Sequence, residues 1–288
     1  MPVSGLGLCL NSSLVCLSGT YKAQLRCKMQ RALCELWTTG PQLAPARQPT
    51  SWYAVSMSAS GPGLPDWQPA QIPRPVALYG RTVTLEPLDA ARHAADLWKS
   101  VRGHDDLWTG LFDGPYGSEA TLSEAIARKQ SSPEAVFLAI VPAGSGTAAG
   151  WASYLRMEPA HGVIEVGNIL LSPALQRTTA ATEAMYLMAR HVFEDLGYRR
   201  FEWKCNALNT PSRRAALRLG FAFEGIFHQH MVVKGRNRDT AWFAMLDHEW
   251  PARKAAFEAW LDPSNFDAEG RQRTQLRCLP AASHASAL

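Results

Sequence analysis

Residues 170–184, LLSPALQRTTAATEA, read as the end of an apolar strand, a short polar turn and the start of a helix. A helix entered straight from a strand end leaves several backbone N–H groups without partners, and its dipole favours negative charge there. Around that terminus Gln176, Arg177, Thr178, Thr179, Ala180, Ala181 and Thr182 supply one cation, three hydroxyls and small side chains, a set that suits a diphosphate. Taken alone, the same letters also fit a solvent-facing loop with a threonine cap. The flanking sequence has to choose between them.

Upstream, GVIEVGNILL (162–171) reads as a strand, and downstream a helix runs from about Thr179 to Asp195, with Gly197 placed as a C-cap glycine. RRFEWKCN (199–206) is the next strand, so the helix is a crossover between two parallel neighbours. Before this unit come an alternating strand from Gly80, a helix capped by Asp89, a Gly- and Pro-broken loop, and a second helix capped near Ser118. Strands at 135–142 and 147–157 follow, joined by the turn AGSG. After it come a short helix capped by Asn209 or Thr210 with Pro211 in its first turn, two strands around KGRNRD (234–239), and the helix HEWPARKAAFEAWL (248–261). The expected architecture is a single α/β (α+β mixed) domain over 80–262, with a mostly antiparallel sheet, one parallel pair and helices on both faces. Residues 57–79 read as a proline-rich arm, and residues 263–288 as a polar tail, disordered beyond about 268.

Composition narrows the function classes. With 47% hydrophobic and 19% charged residues, the 288-residue chain has the balance of a soluble globular protein with a sizeable core. A net charge of +4, spread without basic runs, argues against a nucleic-acid partner, and no apolar stretch approaches the roughly 18 residues that span a bilayer. Cys9, Cys16, Cys27 and Cys34 crowd the first 34 residues, but their six-residue gaps are wider than zinc sites use, and a reducing, cytoplasmic setting is expected. Residues 1–56 carry Lys22, Arg26, Lys28, Arg31 and Arg47 against the single acid Glu35. They fit a mitochondrial-type targeting segment, or else a dispensable extension upstream of a start at Met57.

The span EVGNILLSPALQRTTAATEAMYLMARHVFEDLGYRRFEWKCNALNTPSRRAALRLGFAFEG (165–225) resembles the GCN5-related N-acetyltransferase (GNAT) superfamily, in particular its branch of ribosomal-protein N-terminal acetyltransferases. Over roughly residues 80–247 three marks carry the resemblance. Gln176, Thr179 and Ala181 align with the family's pyrophosphate motif, ATEA (181–184) with the helix start of the branch, and NTPSRRAALRLGF (209–221) with its Asn-x-x-Ser to Leu-Gly-Phe segment. The departure is Thr179, where the family usually has glycine.

The resemblance implies acetyl-CoA as co-substrate, no metal, and direct attack by a primary amine without a covalent enzyme intermediate. It implies that the pantetheine arm lies between splayed strands at 165–171 and 200–205, held by backbone near Asn168, Leu170 and Leu171, with Asn168 by the oxyanion. The phosphates fall to Gln176, Arg177, Thr178, Thr179, Ala181 and Thr182, while Asn209 and Ser212 border the cofactor arm, Asn209 as a cap, a cofactor contact or both. Glu165 is the candidate base, directly or through water, against the reading of a strand-edge carboxylate in an ion pair. An ammonium has no lone pair, so an acceptor with a pKa near roughly 10.4 (lysine-like) or about 8 (α-amino) must lose a proton first. Ala216 stands where many relatives carry a tyrosine acid. The acceptor stays open between a small-molecule amine and a protein N-terminus, the assembly between monomer and homodimer. An alternative from another class is a non-catalytic acetyl-CoA sensor or interaction module.

Other candidates read as structural. Cys205 has no neighbouring His or Asp and fits a buried small hydrophobe. His228 and His230 share a strand face but lack a third ligand, KGRNRD reads as a hairpin turn at the acceptor mouth, and Trp203, Trp242 and Phe243 as core or pocket wall.

Overall fold

The computed structural model describes residue 61 and residues 63–278, and the cysteine-bearing segment 1–56 with its targeting and extension readings lies outside them. The chain divides into two units, Met1–Pro65 and Asp66–Leu288, and the architecture below is that of the second. Eight strands form one sheet: β1 (Leu78–Tyr79), β2 (Val83–Pro87), β3 (Ala135–Pro142), β4 (Gly150–Glu158), β5 (Val163–Leu171), β6 (Arg200–Asn206), β7 (Ala222–Val233) and β8 (Arg236–Leu246). Their order is β1-β2-β3-β4-β5-β6-β8-β7, antiparallel throughout except for the parallel β5–β6 pair. Among the described residues five α-helices surround it: α1 (Ala90–Val101), α2 (Glu119–Gln130), α3 (Thr179–Arg190), α4 (Thr210–Arg218) and α5 (Trp250–Leu261).

The caps stand where the sequence puts them. Asp89 accepts from the Arg92 amide, Ser118 from Thr121, Thr178 from Ala181 and Asn209 from Ser212. Each satisfies an amide that the first turn of a helix leaves without a partner.

β3 is apolar almost throughout because both its faces are covered. Leu138 and Ile140 join the core beneath α3 and α5, while Phe137, Ala139 and Val141 join the core beneath α1 and α2. A continuous apolar run is what a strand buried on both sides requires. The α3–α5 core continues across Ile164, Phe201 and Phe243 to Met188 and Phe257. The α1–α2 core ends near Trp151 and Leu170, so on that face the middle of β5, β6 and β8 is left to other residues.

Several boundaries differ from expectation. β4 starts at Gly150 instead of 147, and the crossover helix ends at Arg190 and continues as a wider π turn over His191–Asp195. The turn expected over KGRNRD shrinks to Lys234 and Gly235, both at positive φ, and Arg236 to Asp239 belong to β8. Two left-handed residues match the twist of the flanking strands, which lets the hairpin close in two positions. The expected disordered tail is corrected as far as Cys278: Phe266 bridges Gln272, Trp260 donates to Gln272, and Leu276 and Cys278 enter the core. The proline-rich arm, too, is fastened from Trp67 onward, with Ala70 bonded to Pro159 and Gln71 to Leu196. The tail's return rests on that bridge, that hydrogen bond and the burial of Leu276 and Cys278, none of which local polarity shows.

Candidate active site

The parallel pairing of β5 and β6 runs only from Val163 opposite Arg200 to Val166 opposite Trp203. Beyond it each strand keeps its outer partner, β5 with β4 as far as Leu171 and β6 with β8 as far as Asn206. The two strands therefore part where their facing backbone would otherwise continue the ladder. Asn168, on the side of the gap, has φ 49° beside an irregularity in the β4–β5 register, and its Oδ1 is buried without a hydrogen-bond partner. The next strand fits that curve closely: a Cβ on Gly150 would lie 2.2 Å from the Leu170 carbonyl oxygen. Ser153 donates 2.9 Å to the Gly167 carbonyl and holds the bend from the other side.

At the end of β5 the chain turns into α3. The Ser172 carbonyl accepts from Leu175 and Gln176, and the Gln176 side chain donates 3.0 Å back to the Leu171 carbonyl. Arg177 takes φ 62°, and Thr178 caps the helix, its hydroxyl accepting from Ala181 at 3.1 Å and donating to Leu175 at 2.7 Å. Among the described residues the amides of Arg177, Thr179 and Ala180 have no acceptor. Thr182 donates to the Thr178 carbonyl and receives Arg218. Thr179 itself is the first helical residue, so the glycine usual in the family is not needed here for its conformational freedom. The left-handed position is taken by Arg177.

Asn209 caps α4, with Ser212 accepting 3.0 Å from the Trp203 indole on one side of it. A Cβ on Gly110 would lie 2.7 Å from Asn209 Nδ2, so the free half of this amide faces the loop between α1 and α2.

On the α1–α2 face the middle of the sheet carries ionised side chains. Glu165 Oε2 lies 2.9 Å from Lys204 Nζ and 3.2 Å from Arg156 Nε. Lys204 also reaches Glu202 at 2.6 Å and stands 3.9 Å over the Trp242 ring, and Glu202 pairs with Arg200 at 2.6 Å. Both Lys204 and Glu165 side chains are almost fully buried. Burial raises the Glu165 carboxyl above the ordinary range, and the attraction of Lys204 and Arg156 offsets only part of this. Burial also pushes Glu202 upward, but Lys204 and Arg200 outweigh it and bring it below its ordinary value. Lys234, at the β7–β8 tip, donates to the carbonyls of Trp108 (2.9 Å) and Asp113 (3.0 Å), tying the hairpin to the α1–α2 loop.

The predicted residues fall into two groups. Asn168, Leu170, Leu171, Gln176, Arg177, Thr178, Thr179, Ala181 and Thr182 follow one another along the gap and into α3, whereas Glu165 sits in an ion-paired cluster. Its partners Arg156 and Lys204, and Glu202 that shares Lys204, lie outside the sequence reading, although Glu202 and Lys204, two apart in a predicted strand, are a readable signal of one polar strand face. Cys205 is buried, and desolvation raises its thiol pKa, as a structural cysteine requires. His228 pairs with Asp239 (2.9 Å) and His230 with Thr240 (3.0 Å), and a register irregularity with Gln229 at φ 51° lies between Phe227 and Met231. Trp203 and Phe243 are core, and Trp242 lines the charged cluster. Ala216 is fully buried in α4.

Residues 82–222 match the family model described as Acetyltransferase (GNAT) domain. A GCN5-related N-acetyltransferase from Brucella melitensis is 47% identical over 74% of this chain and 97% of its own, with a TM-score of 0.73. A probable GNAT acetyltransferase from Chromobacterium violaceum is 43% identical over 67% of this chain and 96% of its own, TM-score 0.63. An acetyl transferase from Salmonella typhimurium that modifies the N-terminal serine of ribosomal protein L7/L12 is 22% identical over 58% of this chain and 96% of its own, TM-score 0.51, and shares the fold. None of the curated proteins compared matches the chain. With near-complete coverage of relatives at 47% and 43% identity, and with the parted strands and the crossover helix on the page, the chain belongs to the GNAT acetyltransferase family.

Proposed function

We propose that this protein transfers acetyl from acetyl-CoA to a primary amine, with the amine entering from the α1–α2 face. The observation that carries the reading is the parting of β5 and β6 immediately before a helix start whose first amides lack acceptors. Such amides, with the helix dipole behind them, bind phosphate well, and Arg177, Thr178 and Thr182 add a cation and hydroxyls around them. Acetyl-CoA supplies the acetyl group as a thioester. Asn168 to Leu171 offer backbone to the arm of the cofactor and polarise the carbonyl under attack. Glu165 takes the proton from the acceptor ammonium. Its raised pKa suits that task, because a base too acidic would hold the proton weakly. In the pH profile the active form is the ionised one, so the rate rises with pH through the pKa of Glu165, above the ordinary carboxylate range.

A second reading, a module that binds acetyl-CoA without turnover, draws on Ala216 in place of the tyrosine many relatives use to reprotonate the thiolate. Thermal unfolding with and without saturating acetyl-CoA tests both. At a hundredfold excess over Kd the native state gains about 2.7 kcal/mol, and no shift at all removes both readings. Release of free CoA with an amine panel then separates the enzyme from the sensor. The acceptor as a protein N-terminus and the branch of ribosomal-protein acetyltransferases rest on the motif ATEA and on a fold shared with the Salmonella protein.

A further inference from the structure

We propose that Arg238 is the acceptor's anion subsite, so that the natural acceptor is an amine that also carries a carboxylate. The inference rests on the acetyl-transfer reading for the amine and on Arg238 itself for the carboxylate.

Arg238 is 8% exposed, its Nε is buried without a hydrogen-bond partner, and no hydrogen bond or ion pair joins its side chain to any described residue. Its recorded contact is with the face of Phe112, 4.9 Å from the guanidinium carbon to the ring centroid. The other cations around this chamber are all engaged. Lys204 has two carboxylates, Arg156 has Glu165, Lys129 has Asp113, and Lys234 has two carbonyls. An isolated buried charge costs several kcal/mol, and beyond the Phe112 ring no hydrogen bond or ion pair among the described residues offsets that cost for the Arg238 guanidinium. A planar guanidinium with free donors, backed by an aromatic ring, is the group that takes a carboxylate in two parallel hydrogen bonds.

Its position says which substrate it serves. On β8, Arg238 alternates with Thr240 and Trp242 on the sheet face that bears Lys204 and Glu165. Burial disfavours its charge, Cys205 and Glu165 favour it, and Arg156 disfavours it. Phe112, from the α1–α2 loop, lays its ring against the Arg238 guanidinium. The first turn of α3, where phosphate is expected, belongs to a helix packed on the opposite face. The chamber thus offers Glu165 to an ammonium and Arg238 to a carboxylate, the charge pattern of an amino acid or short peptide.

Titration calorimetry on the full chain saturated with CoA tests this with amino acids and dipeptides bearing free C-terminal carboxylates, against the same compounds as C-terminal amides. The acids are expected to bind about ten- to a hundredfold more tightly, the range of a hydrogen bond to a charged group. R238M should abolish the difference and leave CoA affinity unchanged, and its Tm should not fall, since an apolar residue of similar volume replaces an unpaired charge. Equal binding of acids and amides to the wild type, or no binding of either, overturns the proposal without needing the variant. So does a loss of CoA affinity in R238M, which would assign Arg238 to the cofactor. Failure of acetyl-CoA to raise the Tm removes the acetyl-transfer reading separately, and the acid–amide comparison repeated without CoA still reads Arg238.

Discussion

The two sides of the gap between β5 and β6 are built from different material. On the α3 side, anion binding is assigned to backbone amides, three hydroxyls and small side chains within residues 172–182. On the α1–α2 side the chamber is lined by ionised side chains from β4, β5, β6 and β8, buried and interlocked. Backbone donors are already fixed by the helix and cost little to orient, so under the proposed function such a site is expected to tolerate Thr179 where the family usually has glycine. Buried charges tolerate little, because each depends on partners elsewhere in the chain for its place.

Breaking the charged side gives the largest effect. K204M leaves Glu165 and Glu202 buried without their shared cation, and urea denaturation should show a loss of about 3–5 kcal/mol. A loss below about 1 kcal/mol would mean that the cluster is solvated and that the contrast between the two sides is overstated. Next comes E165Q, which keeps the shape and removes the proton acceptor. CoA release should fall about a hundredfold or more, and the acid limb of the kcat/KM profile should disappear. An unaltered rate across pH would remove Glu165 as base and leave it the ion-pair role.

The same cluster gives a stability test against pH. Glu202 titrates below its ordinary value in the folded protein, so the stability it contributes is present above the unfolded value near 4.5 and lost as pH falls through the folded one. E202Q should therefore flatten the acid side of a plot of Tm against pH. Glu165, raised, has the opposite sign: its contribution is present below 4.5 and lost as pH rises through the folded value.

The α3 side should respond more gently. T178A removes the cap to Ala181 and should cost about 1 kcal/mol in denaturant unfolding. T179G should bind acetyl-CoA as well as or better than the wild type, whereas T179W should block it. Unchanged affinity in T179W would mean that the phosphates lie elsewhere.

The succession of strands and helices along the chain, the crossover helix and its caps could be read in advance because they depend on neighbours three or four residues away. Asp89, Ser118, Thr178 and Asn209 each cap a helix as their letters promise. The residues proposed for the cofactor could be named together for the same reason, since they run almost consecutively. Glu165 could be named, but its setting could not. Whether it faces an acceptor or an ion pair depends on Lys204 and Arg156, 39 residues later and 9 residues earlier in the chain.

The sequence by itself therefore determined the alternation of strands and helices, the crossover that makes β5 and β6 parallel, and the capped helix start that follows β5. Periodicity, caps and turn residues act over a few positions and leave their mark in the letters. The tertiary structure alone decided that β5 and β6 separate after four paired positions, that residues 263–278 fold back onto the core, and that the Arg238 side chain is buried with no ion pair among the described residues. Those outcomes belong to distances between remote parts of the chain, and electrostatics in a buried site is a property of the assembled neighbourhood.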